Sequence, residues 1–304
     1  MFDYVNLHWK LNRNQSIINT LKEGDMLPTT SCKETDWLSL TLEAVEYQGV
    51  AIVTDVVPES MLERIRPAMY KARDRQIRDV GRERLEQARE VGQMRIMLDV
   101  DAVFPEILEL PQILDVIDRT VSDTAILHLQ SGFILPPVEN LGYAESDAAE
   151  MFQFSFHQDF RRHLEGYLGC INMMLNIDEF SAANGATVFV PGTHQKRELP
   201  SDEYLRANAL PAEAPAGSMI VFDATTWHAS GFNASSEDRL AINHMFTRSY
   251  MKQMIDYVRA LGSDFVVGLP PRTQQLLGWY TRVVTSNDEY FRPRDQRLYR
   301  ANQG

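Results

Sequence analysis

The chain has 304 residues, of which 44% are hydrophobic and 24% charged, ordinary proportions for a folded protein with one sizeable core. Lys and Arg number 30 against 42 Asp and Glu, so the formal net charge is −12, which repels phosphate backbones and disfavours a nucleic-acid substrate. No apolar run reaches the ~18 residues of a membrane span, MFDYVNLHWK lacks the basic-then-apolar order of a signal peptide, and two cysteines, Cys32 and Cys170, exclude a disulfide framework and make a thiolate zinc cluster a poor reading; the expectation is a cytoplasmic protein.

Residues 1–35 show no firm periodicity and read as an irregular arm. Thr35 to Tyr47 is helical in pattern, with Trp37, Leu40, Leu42 and Val45 as candidate buried positions. Gly49 punctuates it, and GVAIVTDV (49–56) reads as a strand rich in β-branched residues. Pro58 opens a charged helical stretch to about Glu90, with Leu62, Ile65, Met69, Ile77, Val80 and Leu85 as its apolar stripe. Pro67 and Gly81 are expected to kink or split it. A short helix follows near Pro111–Val121.

Beyond residue 122 short apolar runs succeed one another at 124–135, 154–160, 167–177, 186–190, 217–223, 226–230 and 238–247. Gly, Pro and Asn separate them, and Asn184-Gly185 reads as a hairpin turn. Many short strands with turn signals indicate a sandwich or barrel. The expected organisation is a single domain over 1–304: an arm and supporting helices (1–121), a β core carrying the site (122–250) and a helical or irregular tail (251–304).

Two strands carry an informative face pattern. In LGCINMMLNI (168–177), Gly169, Ile171, Met173, Leu175 and Ile177 share one face; Leu168, Cys170, Asn172, Met174 and Asn176 share the other. Amides without charges suggest the wall of a polar cavity. In RLAINHMF (239–246), Arg239, Ala241, Asn243 and Met245 face one way, and Leu240, Ile242, His244 and Phe246 the other.

His157-Gln158-Asp159 places an imidazole and a carboxylate on one side of an extended segment, with Cα atoms roughly 6.5–7 Å apart. His228 supplies a third donor from a distant strand. Two imidazoles and one carboxylate on one face of a metal leave the other positions open, which suits non-haem Fe(II). Arg239 follows on the next strand. An arginine facing a cavity needs an anion for its five donors, and the distal carboxylate of 2-oxoglutarate fits.

His157-x-Asp159, Asn184-Gly185, Pro191-Gly192-Thr193-His194, His228 and Arg239 together resemble the phytanoyl-CoA dioxygenase family. The resemblance covers about residues 40–250, including YQGVAIVTDVVPESMLERIRPAM. It implies a mainly β fold with flanking helices and a double-stranded β-helix (jelly roll, cupin-like) core. It implies Fe(II) and O₂ at His157, Asp159 and His228, and 2-oxoglutarate as cosubstrate, released as succinate and CO₂. It makes Arg239 the anchor of the cosubstrate's C5 carboxylate, with Arg248 or Arg95 next in line. Ser230 resembles a position near that carboxylate, and Met174 and Thr187 match positions lining the cosubstrate pocket. Gln130 and Asn172 are weaker candidates for the same wall. Related halogenases have a small residue where Asp159 stands, so hydroxylation of a small-molecule substrate is favoured. The substrate does not transfer; by analogy a specialised or amino-acid-derived metabolite is expected, and the oligomeric state stays open.

Two other classes compete: a cupin-like binding protein without catalysis, and a zinc-dependent lyase or isomerase at the same triad. Bland readings hold for the remaining histidines. His194 is a turn residue, His244 a core histidine, His163 loop or pocket rim, and His128 ambiguous. Trp227 packs behind His228. The arginines of the tail, from Arg272 to Arg300, read first as salt-bridge partners. Residues 136–153 form a long acidic connection leading into the metal-bearing segment, placed to cover the pocket mouth.

Overall fold

The computed structural model describes residues 26–140, 154–161, 164 and 167–303. The expectations for the first 25 residues, for His163 and for 141–153 of the long connection lie outside them.

Among the described residues ten strands form two sheets: β1 (Thr29–Ser31), β2 (Val50–Thr54), β3 (Gln93–Met94), β4 (Ile126–Leu135), β5 (Cys170–Asn176), β6 (Val188–Phe189), β7 (Leu210–Pro211), β8 (Met219–Asp223), β9 (His228–Ala229) and β10 (Arg239–Thr247). The larger has the order β1-β2-β8-β5-β10-β4-β3, the smaller β7-β6-β9. Only the β1–β2 pair is parallel among the described strands.

Alternation gives the large sheet two apolar faces. Its outer face, with Val53, Ile171, Met173, Leu175, Leu240, Ile242 and Phe246, packs against helices. These include Trp37–Gln48, Glu59–Val80, Val103–Ile107 and Pro111–Thr120, with the tail segments Tyr257–Leu261, Ser263–Val267 and Pro271–Leu276 joining the same core. The inner face turns Val50, Ile52, Met174, Ile220, Phe222 and Ala241 toward Phe189 of the small sheet. The strands are buried on both faces, which is why they read as near-continuous apolar runs. Among the described residues, no helix is long and apolar enough to cross a membrane.

Five local expectations are corrected. Leu40 is 43% exposed, and Thr41 takes the buried position beside Val45, its hydroxyl satisfied by the Trp37 carbonyl at 2.7 Å. Val80, placed in the apolar stripe, is exposed at the end of its helix, and Ile77 is half-buried. The charged stretch splits at Gly81 (φ 93°) into Glu59–Val80 and Arg82–Ala88, while Pro67 stays inside the first helix. Pro67 and Glu63 both lie on the exposed side, which leaves the Glu63 carbonyl, deprived of its donor by the proline, open to solvent. The segment 154–160 is not a strand; it makes one bridge, His157 with His228. Asn184-Gly185 does not close a hairpin, because β5 and β6 belong to different sheets. Gly185 (φ +81°) instead turns the chain from one sheet to the other, with Gly231 carbonyl close enough to meet an added Cβ at 2.8 Å.

Gly49 ties the first helix to the end of β8 and to the loop that leads into β9. It ends Trp37–Gln48 in the left-handed region (φ +79°), and its carbonyl accepts from Asp223 N at 3.0 Å and Thr226 Oγ1 at 2.9 Å. A Cβ there would stand 2.5 Å from both His194 Nδ1 and Thr226 Oγ1. Gly192 (φ +77°) has the same handedness but open space around it. Gly192→Ala should therefore cost about 1–2 kcal/mol from backbone strain alone. Gly49→Ala should cost more, and equal shifts in urea midpoints would show that the Gly49 contact carries no stability.

Candidate metal centre

His157 and His228 exchange two backbone hydrogen bonds, His157 N to His228 O at 2.9 Å and His228 N to His157 O at 3.0 Å. This closed pair brings the rings to 4.4 Å between centroids, tilted by 54°. Each Nδ1 donates to a local carbonyl, His157 to Ser155 at 2.7 Å and His228 to Thr226 at 2.9 Å. Both protons are thus spent on the backbone, and both Nε2 lone pairs are left for a metal.

Two residues past His157, Asp159 returns to the same side. Its Oδ1 is 3.5 Å from His157 Nε2 and its Oδ2 3.7 Å from His228 Nε2. The three donor atoms lie within 4.8 Å of one another. Gln158 points away and braces the segment, donating to the Thr225 carbonyl at 2.6 Å and the Lys196 carbonyl at 3.2 Å. Phe189 and Phe222 hold the His228 ring at centroid distances of 5.5 and 5.0 Å.

The electrostatics suit a cation. Burial works to raise the Asp159 pKa, but His228, His157 and the Asn172 amide hold it at about 2. Burial, reinforced by His157, pulls His228 down to about 4, against Asp159 and the Thr226 carbonyl. Near neutral pH the triad presents a neutral His228 imidazole and a carboxylate. That donor set fits a divalent metal of the non-haem iron class.

Arg239 lies on the inner face of β10 and is only 4% exposed. Its guanidinium sits 4.1 Å over the Phe180 ring, and its Nε and Nη1 have no partner among the described residues. Burial lowers its pKa to about 9, opposed by Asp178, so it stays charged at neutral pH. The side-chain amide of Asn176 and Asn243 Oδ1 are buried and equally unpartnered on this face. A buried cation with stranded donors is costly unless an anion joins it.

The other expected residues divide. Asn172 reaches the metal triad rather than the pocket wall, its amide donating to Asp159 Oδ2. Thr187 meets Met174, Oγ1 to Sδ at 3.6 Å. Ser230 is half-buried two residues past His228, its hydroxyl donating to the Gly231 carbonyl at 3.1 Å. Gln130 is a correction. It stands opposite His244 in the β10–β4 register, on the helix-packed face, and its amide donates to His244 Nε2 at 3.0 Å. The sequence does not show how the two faces of this strand are assigned, so an amide among apolar residues reads there as a pocket wall. The unbroken register from Arg239↔Leu135 to His244↔Gln130 puts Gln130 on the face of Leu240, Ile242 and His244. His194 is the turn residue expected, donating from Nε2 to the Glu46 carbonyl at 3.0 Å. Trp227 packs with Phe156, Val188 and Val190 on the far side of the small sheet. What sequence reasoning missed is the brace: Gln158 and the Ser155 and Thr226 carbonyls. The i−2 spacing of both carbonyls from their histidines was the available signal.

A match to the phytanoyl-CoA dioxygenase (PhyH) family spans residues 45–241, and the chain belongs to that family. It is 51% identical over 262 residues to the uncharacterized protein Rv1501 of Mycobacterium tuberculosis, covering 86% of this chain and 94% of that one. It is 30% identical over 124 residues to dioxygenase cdmD of Talaromyces verruculosus and over 134 residues to dioxygenase olcK of Penicillium canescens. Those fungal matches cover 40% and 42% of each chain.

Two outcomes follow from this geometry. Asp159→Ala removes the anionic donor, so titration with Fe(II) or Co(II) should show metal affinity lost while the melting curve stays cooperative; unchanged affinity would move the metal site elsewhere. His244 is a buried, neutral core histidine whose pKa burial lowers to about 3, opposed by a backbone group of Met173. The folded value lies below the 6.5 of a free imidazole, so its stabilising effect is complete above 6.5 and is lost as pH falls toward 3. Stability should fall by up to about 1.4 kcal/mol per pH unit across that window from this residue alone. His244→Gln should flatten that dependence in urea unfolding, and an unchanged slope would contradict it.

Proposed function

We propose that this chain is an Fe(II)- and 2-oxoglutarate-dependent dioxygenase with a double-stranded β-helix core, which oxidises, and most directly hydroxylates, a small molecule. The dioxygenase names of the fungal relatives and the family membership support the class. The two facing sheets with one inner cluster support the core. The observation that carries the cosubstrate is Arg239, buried, charged and stranded on the inner face that β10 shares with Met174 and Ala241.

His157, Asp159 and His228 would hold Fe(II), which supplies O₂ activation coupled to decarboxylation of 2-oxoglutarate to succinate and CO₂. Arg239 takes the distal carboxylate bidentately, and Thr187, Met174 and Ser230 shape the wall around it. The unpartnered atoms of Asn176 and Asn243 offer further polar contacts. Asn172 fixes the Asp159 carboxylate by its hydrogen bond to Oδ2, so the donor is oriented before any ligand arrives. Phe189 and Phe222, buried against the His228 ring, keep bulk water from the reacting centre. Asp159 occupies the position that a halogenase would leave to chloride, which favours hydroxylation. We further read the chain as a single-domain cytoplasmic protein acting on a specialised or amino-acid-derived metabolite, with neither nucleic acid nor membrane as partner.

Arg239→Leu tests the assignment. Breaking a buried charge pair costs about 3–5 kcal/mol, so 2-oxoglutarate affinity should fall by at least about two orders of magnitude. Iron binding should persist. Anaerobic calorimetry on the Fe(II)-loaded wild type and variant separates the two, and an unchanged 2-oxoglutarate affinity would refute the anchor.

A further inference from the structure

Asn176 closes the far end of the inner face with a polar group that nothing in the protein answers. It ends β5 and is fully buried, yet both atoms of its side-chain amide are without a partner among the described residues. Its backbone is satisfied, the N–H donating to the Ser218 carbonyl at 2.9 Å and the carbonyl accepting from Gly217 N at 2.8 Å. Ser218 is buried as completely, and its hydroxyl has no partner either. Buried polar groups are nearly always paired, so a cluster of exceptions marks a place that a ligand completes.

Register puts these groups beside Arg239. Ala241 stands opposite Asn176 across β10 and β5 and belongs to the inner cluster, so Asn176 faces inward. Ser218 precedes Met219 of the helix-packed core and shares a face with Ile220 and Phe222 of the inner cluster. Arg239 lies two residues before Ala241 on the same face. That makes it the diagonal neighbour of Asn176, with Cα atoms roughly 7–8 Å apart, within reach of a long side chain. The chain stays alongside β10 beyond the end of β5, Ile177 N and Asp178 N both donating to the Leu240 carbonyl, at 3.1 and 3.3 Å. Arg239 Nε and Nη1, both amide atoms of Asn176 and Ser218 Oγ thus share one corner, all without partners among the described residues.

β5 relates this corner to the metal. Asn172, Met174 and Asn176 follow one another on its inner face. The Asn172 amide holds the metal-site Asp159, and Met174 meets Thr187. Asn176 comes four residues after Asn172, about 13 Å along the strand. A linear 2-oxo diacid held at the metal end therefore runs past Met174 and presents its far carboxylate to Asn176 and Arg239 together. A neutral amide suits that corner better than an acid would. It adds a donor for the ligand, whereas a carboxylate would pair with Arg239 and close the site on itself.

We propose that Asn176 is the specificity-determining floor of the cosubstrate pocket. Its Nδ2 donates to the far carboxylate beside the Arg239 fork, and the bulk of its amide limits the ligand to the five carbons of 2-oxoglutarate. This rests on the dioxygenase reading, in which Arg239 takes that carboxylate, and deepens it by naming the residue that sets which 2-oxo acid is accepted.

The test uses the full chain loaded with redox-silent Zn(II), as wild type, Asn176→Ala and Asn176→Asp. Calorimetry gives the affinities of 2-oxoglutarate and of 2-oxoadipate, which is one methylene longer. The wild type should prefer 2-oxoglutarate by about tenfold or more. Asn176→Ala should weaken 2-oxoglutarate by about tenfold or more, through the lost donor. It should weaken 2-oxoadipate less or not at all, because the extra methylene enters the vacated space, so the preference narrows or reverses. Asn176→Asp should lose 2-oxoglutarate binding and, free of metal and ligand, melt no lower than the wild type, because its carboxylate pairs with Arg239. That arm carries the test if the alanine variant does not fold. An unchanged preference in Asn176→Ala would overturn the proposal, including the case in which both acids weaken alike from loosened packing. Retained 2-oxoglutarate binding or a lowered melting temperature in Asn176→Asp would overturn it as well. A wild type that binds neither acid would strike the dioxygenase reading and this proposal with it, whereas wild-type binding with an unmoved preference strikes Asn176 alone.

Discussion

The reciprocal backbone pair between His157 and His228 is the constraint on which the site depends. Neither histidine sits in a long strand; β9 has two residues and His157 makes a single bridge. Their two hydrogen bonds, 2.9 and 3.0 Å, nevertheless fix a segment of irregular chain to the small sheet. Asp159 then falls on the correct side by simple alternation, and Gln158 falls on the other, where backbone carbonyls receive its amide. The same pair also leaves the chain short of ladder bonds here, so the packing around it must be firm. The two phenylalanine rings against His228 and the Gly49 contact to Thr226 provide that.

Charge is distributed against the trend of the whole molecule. The chain carries a formal −12, yet the inner face of the large sheet presents the buried Arg239. Its Nε and Nη1 are drawn out of water without a hydrogen-bond partner among the described residues. A buried arginine of this kind is no gain in stability over an apolar side chain of similar volume. It is intelligible if a small anion completes it, and the net negative charge then favours small, mobile acids over polyanionic partners.

Much of the metal site was legible in the sequence because it depends on local spacing. The His-x-Asp alternation, His228 on a following strand and Arg239 on the next are short-range patterns, and all four appear on the inner side. The β-branched run 50–54 and the Gly49 stop were equally readable. What sequence could not convey was which face of a strand meets which layer. Gln130 and Asn172 look alike as amides in apolar runs, yet one backs onto His244 and the other holds Asp159. Their difference is set by register, Gln130 opposite His244 and Asn172 opposite Met245, which is a property of the partner strand. Leu40 and Thr41 exchanged places for a related reason: the helix rotates to suit the sheet beneath it, and the Thr41 hydroxyl is satisfied within the helix. Asn184-Gly185 has the composition of a hairpin but joins two sheets, since the turn chemistry is local and the choice of partner strand is not.

The central claim is that one inner face binds a metal and 2-oxoglutarate together. The most direct measurement is the 2-oxoglutarate affinity of the metal-free and the Fe(II)-loaded protein under anaerobic conditions. One 2-oxoglutarate should bind per chain, and more tightly with the metal than without it. Equal affinity in both forms, or none in either, would contradict it.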